Sequence, residues 1–424
     1  MKSLLIKGVG LEGCTKDVLI EENVIVKIED SIDTPALTII DGRGKVAIPG
    51  FVNMHTHAAM TLMRGVGEDI LFHEWIYERV WPIEKRLDDE LVYWGTKLAC
   101  LEMIKTGTTC FNDQYWNLSA AVKAASGMGL RSVQPFVILD LYDKSKWGEI
   151  KDGCLKAYEE SLKWQPLNRF AVGIHSAYSV SEELLIWGAE FARERGLLLH
   201  THISETEKEV TDSIEKHGIS PVKYLDKIGV LGPNVISAHS LWLDDEDIEI
   251  FAKRGVTVVH NINSILKLAS GYKFRYKEYK DAGVLVTLGT DGCASSNNLD
   301  MLESMKTAAM VQKAWRKDPT VMPINELMDM ATINGAKALG INSGKIEEGR
   351  LADILLIDKE QYSFAPDINF YANLIYSANS SCVDTVICDG KVVMRGRKVT
   401  GEEEIISNVK RLYNRLLGCE KGSR

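Results

Sequence analysis

Pro49-Gly-Phe-Val-Asn-Met-His55-Thr-His57 is a short apolar run that breaks into two histidines one residue apart. On a strand, side chains alternate faces with a period of two, so His55 and His57 point the same way. Two imidazoles on one face at the C-terminal end of a strand make half of a chelating site. In a chain of 424 residues a lone His-x-His also arises by chance. Its meaning therefore depends on the rest of the sequence.

Downstream of this stretch, strand-like and helix-like patterns alternate. Strands are predicted at 108–113, 132–141, 170–175, 197–202, 235–239, 256–260 and 284–290,. Helices are predicted at 74–86, 89–105, 118–128, 182–195, 205–216, 221–228, 301–312 and 324–339,. With the opening run this gives eight strands, ending near His57, Asp113, Leu141, His175, His202, His239, His260 and Asp291. Eight such units predict an α/β fold, a (β/α)8 TIM-type barrel. The competing architecture is a doubly wound open sheet, but no Gly-x-Gly-x-x-Gly turn follows an early strand,.

Upstream, short β-branched runs at 3–7, 17–20, 24–28 and 36–41 read as strands,. The tail returns to strands at 352–357 and 383–388, a turn at Asp389-Gly, and a final amphipathic helix at 403–417,. Neither end can bury a core alone. The expected organisation is therefore a small β-sandwich domain from 1–48 and 345–424, and a catalytic barrel from 49–344.

A net charge of −9 argues against a nucleic-acid partner, since phosphate binding needs a basic surface,. The eight cysteines (14, 100, 110, 154, 293, 382, 388 and 419) form no Cys-x-x-Cys pair and are expected to be free thiols of a reducing compartment,. The N-terminal apolar run is too short for a signal peptide, and no stretch suits a membrane span. The expected location is the cytoplasm, with no membrane partner.

Seven of the nine histidines fall in predicted strands, most of them at strand ends. In a (β/α)8 barrel that end is the active-site face. So many imidazoles in a barrel mouth need partners, and a metal supplies one. His200 shares a face with His202 but lies one layer deeper, and it reads as a satisfied core histidine. His260 reads as a supporting residue, and His73 and His217 as surface. Cys110 and Cys293 lie near strand ends, but a ligand role for them is disfavoured.

The set Pro49-Gly-Phe-Val-Asn-x-His55-x-His57, His202-x-x-Glu205, Ala238-His239 and Gly289-Thr-Asp291-Gly resembles the amidohydrolase superfamily. Met60-Thr-Leu-Met-Arg-Gly, Glu74-Trp75, Trp81-Pro-Ile-Glu84, Leu266-Lys-Leu-Ala-Ser-Gly and Gly344-Lys-Ile-Glu-Glu-Gly-Arg-Leu-Ala-Asp353 narrow the likeness. They resemble the 5-methylthioadenosine/S-adenosylhomocysteine deaminase branch, related to the chlorotriazine hydrolases. The resemblance implies His55, His57, His202 and Asp291 as ligands of one divalent metal ion. Zinc is the foremost candidate, with iron or manganese as alternatives. Binuclear relatives carry a modified lysine on strand 4, and Arg169-Phe-Ala-Val-Gly-Ile-His175 contains none. A mononuclear site is expected.

On the same resemblance Glu205 is the proton shuttle, His239 polarises the attacking water, and Asp291 accepts a proton as well as ligating. Glu84 would bind ribose hydroxyls, His175 the purine, and Trp75 the pocket wall. Glu205 and Ser295 would also touch the base. Two features depart from the branch. No arginine lies between Arg131 and Arg169 to hold a substrate carboxylate, and the loop after strand 7 reads His260-Asn-Ile-Asn-Ser-Ile265 without the usual proline,. The implied reaction is hydrolytic deamination of an adenine nucleoside: 5′-methylthioadenosine, S-adenosylhomocysteine, 5′-deoxyadenosine or adenosine. The rival is the same mechanism on guanine, a pterin or a triazine. A non-catalytic barrel is disfavoured because all six chemical residues are present. Homo-oligomerisation, frequent in the family, stays open.

Overall fold

The structure, a computed structural model, describes residues 3–416. Among the described residues, seventeen strands fall into two sheets. The first five are β1 (Ser3–Leu11), β2 (Cys14–Glu21), β3 (Val24–Glu29), β4 (Thr38–Asp41) and β5 (Lys45–Pro49). The barrel strands follow as β6 (Phe51–His57), β7 (Thr108–Asp113), β8 (Arg131–Ile138), β9 (Asn168–Ser176) and β10 (Leu199–Ile203). They continue as β11 (Val235–His239), β12 (Thr257–His260), β13 (Leu285–Leu288) and β14 (Asp291–Gly292). The last three are β15 (Ile354–Asp358), β16 (Val383–Cys388) and β17 (Lys391–Met394).

Strands β6 to β13 pair in parallel, each with the next. β13 and β14 are two halves of the eighth strand, interrupted at Gly289 and Thr290. β14 returns to β6, with Asp291 opposite Thr56 and Gly292 opposite His57, and so closes the (β/α)8 barrel. Closure places the ends of strands one and eight side by side, which brings His55, His57 and Asp291 together.

The chain leading to the two histidines forms two strands, and the barrel strand starts at Phe51 rather than Pro49. β5 pairs antiparallel with β15 in the other sheet, and β6 starts the barrel. Gly50 is the joint: its N–H donates to the Asp353 carbonyl at 2.9 Å. A Cβ there would lie 2.2 Å from Thr109 Oγ1, so the two sheets approach too closely for any side chain,. The terminal sheet runs β17-β16-β15-β5-β1-β2-β3, with β4 on β1, and its buried Ile6, Val18, Ile20, Ile25, Ile354 and Leu356 form their own core. Arg131 at the start of β8 ties the two sheets through Asp353 (3.3 Å) and Asp389 (2.9 Å).

Val52, Met54, Cys110, Val133, Ala171, Ile236 and Val259 fill the lower barrel, where the helix Ile333–Ala338 plugs the end through Ala336. The lower interior is thus apolar, and the polar residues crowd towards the strand ends. Other departures have local causes. The expected helix at 74–86 carries a π-helical turn, Trp75–Val80, between short helices Phe72–Glu74 and Trp81–Glu84. Pro82 has no N–H to return to the preceding turn. The expected helix at 324–339 breaks at Thr332 (φ −134°, ψ −91°) into Ile324–Ala331 and Ile333–Ala338. Strand 132–141 ends at Ile138, because Leu141 and Tyr142 turn left-handed at φ 51° and 62°. The helix Trp147–Ser161 was not expected. The final helix is Glu402–Leu416; Leu417 and Cys419 lie outside the described residues. Among the described residues, no helix is long and apolar enough to cross a membrane.

Candidate metal centre and active-site cavity

Strand ends bring six chemical side chains to one spot. His55 and His57 come from β6, His202 from β10, His239 from β11 and Asp291 from β14, and Glu205 follows β10 by two residues. Three of the turns here need left-handed backbone at non-glycine residues: His239 (φ 68°), Asp291 (φ 62°) and Ser204 (φ 53°). Such conformations are held only where surrounding structure imposes them, and they gather at functional sites.

The potential ligand atoms form three overlapping triplets: His55–His202–His239, His55–His57–Asp291 and Glu205–His239–Asp291. Within each they lie no more than 4.8 Å apart. His55 Nε2 and His57 Nε2 are each 3.3 Å from Asp291 Oδ1. A tetrahedral ion with bonds of about 2.0–2.1 Å sets its ligand atoms about 3.3–3.4 Å apart, so these separations fit. Buried His55 Nε2 has no hydrogen-bond partner, as a nitrogen meant for an ion would,. The second ring nitrogens are engaged. His57 Nδ1 bonds the Gln114 carbonyl (2.7 Å) and His202 Nδ1 the His175 carbonyl (2.6 Å), which leaves Nε2 of both rings facing the cluster,. Asp291 is steadied by the Ser264 hydroxyl (2.6 Å) and the Gly292 N–H (2.9 Å). Burial opposes ionisation of Asp291, but His55 and the neighbouring imidazoles hold its carboxyl well below the usual range. The donor set of neutral imidazoles and one carboxylate suits a divalent ion.

Glu205 Oε1 lies 3.8 Å from His239 Nε2. Burial, together with the Asp291 and Glu209 carboxylates, pushes the Glu205 carboxyl well above its ordinary value. Burial also lowers His239 to about 3 and His175 to about 4, so both rings are neutral near pH 7,. The turn carrying Glu205 is clamped by Glu209, whose two carboxylate oxygens accept the Ser204 and Glu205 N–H groups, each at 2.8 Å. The Thr206 hydroxyl in turn accepts the Glu209 N–H (3.1 Å) at the start of the helix Glu207–His217.

A cavity opens above the cluster. His57, His202, Glu205, His239 and Asp291 form its floor, and Phe72, Trp75, Trp81, Trp116, Leu139 and Tyr178 its walls. Glu84 and His175 also line it, and among the described residues no lysine or arginine does so. Burial raises the Glu84 carboxyl. A second chamber adjoins through Phe72, Tyr178 and Glu205; among its described lining residues Lys208 is the one lysine or arginine, and Asp212 holds it at 2.8 Å.

Of the expected substrate contacts, Glu84, Trp75, His175 and Glu205 share this cavity, whereas Ser295 does not line it. The Ser295 hydroxyl turns back to donate to the Gly292 carbonyl at 2.9 Å, because the chain enters the short helix Cys293–Ser296 directly. The loop after β12 begins the helix Ile262–Lys267 at once, which points Ser264 at Asp291 and lets Asn263 face Glu303. His260 stacks on Phe274 with centroids 3.8 Å apart. His73 is exposed on the rim of the second chamber, and His217 stacks on Tyr224. Cys110 and Cys293 are buried outside the metal-capable triplets. Gln114 and Ser264 were missed: a backbone carbonyl and a cross-strand hydroxyl leave no pattern. Glu209 had a signal, the Thr-x-x-Glu of 206–209 that marks a capped helix start.

The family model for the amidohydrolase family matches residues 46–393. The chain is 46% identical over 383 residues to 5-methylthioadenosine/S-adenosylhomocysteine deaminase 1 of Archaeoglobus fulgidus, covering 90% of each chain. It is 44% identical over 381 residues to a 5′-deoxyadenosine deaminase of Methanoregula boonei, covering 89% of this chain and 86% of the relative. Among solved structures, an adenosine deaminase from Xanthomonas campestris with bound zinc superposes with a TM-score of 0.93 at 30% identity, covering 98% of each chain.

Proposed function

The chain belongs to the amidohydrolase family, and on that premise we propose that it deaminates adenine nucleosides hydrolytically, releasing ammonia and the inosine analogue. The observation that carries the reading is Glu205. This buried carboxyl, with its proton affinity raised, faces His239 and Asp291 at the floor of an aromatic cavity.

His55, His57, His202 and Asp291 would hold one divalent ion, zinc foremost and iron or manganese as alternatives. When bound, the ion supplies the Lewis acidity that makes water a nucleophile near neutral pH. The rest falls to the chain. Glu205 takes a proton from the attacking water and delivers it to ring N1, which makes C6 electrophilic. The water oxygen bonds to C6, the C6–N6 bond breaks, and the remaining proton leaves with ammonia through Glu205 or Asp291. Neutral His239 orients the water. Glu84 accepts hydrogen bonds from the ribose diol, His175 meets the purine edge, and Trp75 walls the base. Ser295 braces the Gly292 turn rather than the base. The division of the chain that goes with this reading is 49–344 as catalytic barrel and 1–48 with 345–424 as the small unit.

A substrate panel tests the proposal. Metal-loaded protein is offered adenosine, 5′-deoxyadenosine, 5′-methylthioadenosine, S-adenosylhomocysteine, guanine, a pterin and a chlorotriazine, and ammonia and chloride are measured. Ammonia is expected from the adenine nucleosides. Within them the uncharged 5′ groups should lead, since the cavity offers a substrate carboxylate no cation. Product from the guanine, pterin or triazine arms alone would overturn the adenine reading.

A further inference from the structure

The imidazoles that face the cluster are not all supported in the same way. His57 and His202 give their second nitrogen to backbone carbonyls, those of Gln114 and His175. The fold fixes these partners whatever side chains surround them. His55 relies on a side chain instead: its Nδ1 lies 2.8 Å from His200 Nε2. A His55 that ligates through Nε2 keeps its proton on Nδ1 and donates it to His200 Nε2, so His200 Nδ1–H needs an acceptor. The Asn112 side-chain amide lies 2.7 Å away and supplies one when its otherwise unpartnered oxygen faces the ring,. The relay therefore starts on β7, crosses to β10 and returns to β6 beside His55. All three side chains are fully buried, and the His55 and His200 rings lie within 15° of parallel.

We propose that His200, braced by Asn112, is a positioning residue that holds His55 with Nε2 towards Asp291. This rests on the reading of His55 as a ligand. Immediately beneath the relay the barrel interior is apolar, so the facing nitrogens of His55 and His200 have only each other and the Asn112 amide as partners,. If His200 is removed, His55 Nδ1 has no partner. A half-turn of the ring would then be needed to satisfy it, and Nε2 would leave the cluster. Outer partners of this kind are worth about 10- to 100-fold in metal affinity. A histidine that merely filled space would be replaceable by any ring of similar size.

The test measures zinc affinity of the full chain by competition with a chromophoric chelator, alongside circular dichroism and the visible spectrum of the cobalt(II)-loaded protein. His200→Phe keeps the ring and removes both nitrogens. His200→Gln places an amide near the position of Nε2, and His200→Asn is too short to reach His55. The expected result is zinc binding about 10- to 100-fold weaker for Phe and Asn, with a changed cobalt spectrum, and rescue by Gln. Wild-type affinity and spectrum in His200→Phe would overturn the proposal. If that variant does not fold, equal affinities for the Gln and Asn variants would overturn it. His55→Ala separates the two readings. Unaltered zinc binding there rejects His55 as a ligand. Loss of zinc in His55→Ala but not in His200→Phe rejects the positioning role alone.

Discussion

Glu209→Gln isolates the clamp beneath Glu205, the proposed proton shuttle, without altering a proposed metal ligand. Glu209 offers two oxygens to two N–H groups at 2.8 Å, and glutamine can offer only one, since its amide nitrogen would face an N–H,. A hydrogen bond to a charged acceptor is worth about 1.5–3 kcal/mol. If that energy is what fixes the Ser204–Glu205 turn, kcat should fall about 10- to 100-fold at about 1.4 kcal/mol per decade, with KM within about twofold. The same group has a stability signature. Burial raises its carboxyl from 4.5 to about 7, against the N–H groups of Ser204, Glu205 and Thr206 that lower it. Between those values the folded chain keeps a proton that the unfolded chain has lost. Stability from this group therefore falls as pH rises from about 4.5 to about 7 and is level above, by about 3 kcal/mol in total. Urea unfolding of wild type and variant at about pH 5 and about pH 8 reads this as a slope smaller by about 3 kcal/mol in the variant, since the raised carboxyls of Glu205 and Asp113 contribute to both,. A kcat within about twofold of wild type, or an unchanged pH slope, would refute the clamp.

Glu205→Gln should keep its metal, by elemental analysis, while kcat drops about 10²- to 10⁴-fold, because glutamine cannot carry the proton. Turnover near wild type with metal retained would remove Glu205 from the mechanism. Asp353→Ala strips the buried Arg131 of one of its two carboxylates and frees the Asp389 N–H that donates to Asp353 at 2.7 Å. Thermal unfolding should show a loss of about 3–5 kcal/mol, with the cluster unaltered in the protein that remains folded. Gly50→Ala should also destabilise, by about 1–3 kcal/mol, because its Cβ meets Thr109,. A wild-type melting temperature would mean the two sheets separate easily there.

What the sequence disclosed follows from what is local. The strand 235–239 and the helix 118–128 have their observed bounds because hydrophobic period and punctuation lie within a few residues. The histidine-ended strands were legible because a barrel gathers strand ends by rule. The helix Trp147–Ser161 escaped although Trp147, Ile150, Ala157 and Tyr158 line its packed face around buried Cys154. Gly148 and Gly153 weaken its propensity, and charges fill its other faces,. The role of His200 shows where local reasoning stops. Period two puts it beneath His202 on the same face, but strand stagger decides that its nearest ring is His55, and stagger is set by closure of the whole barrel,. The break at Gly50 likewise depends on Thr109, far along the chain.

In the proposed reading, one ion held by His55, His57, His202 and Asp291 sits beneath the adenine nucleoside that loses ammonia. Titrating chelator-stripped protein with zinc while following ammonia release from 5′-deoxyadenosine tests this most directly. Turnover should be absent without metal and rise linearly to a break at one ion per chain. A break at two ions per chain, or no ammonia at any loading, would contradict it.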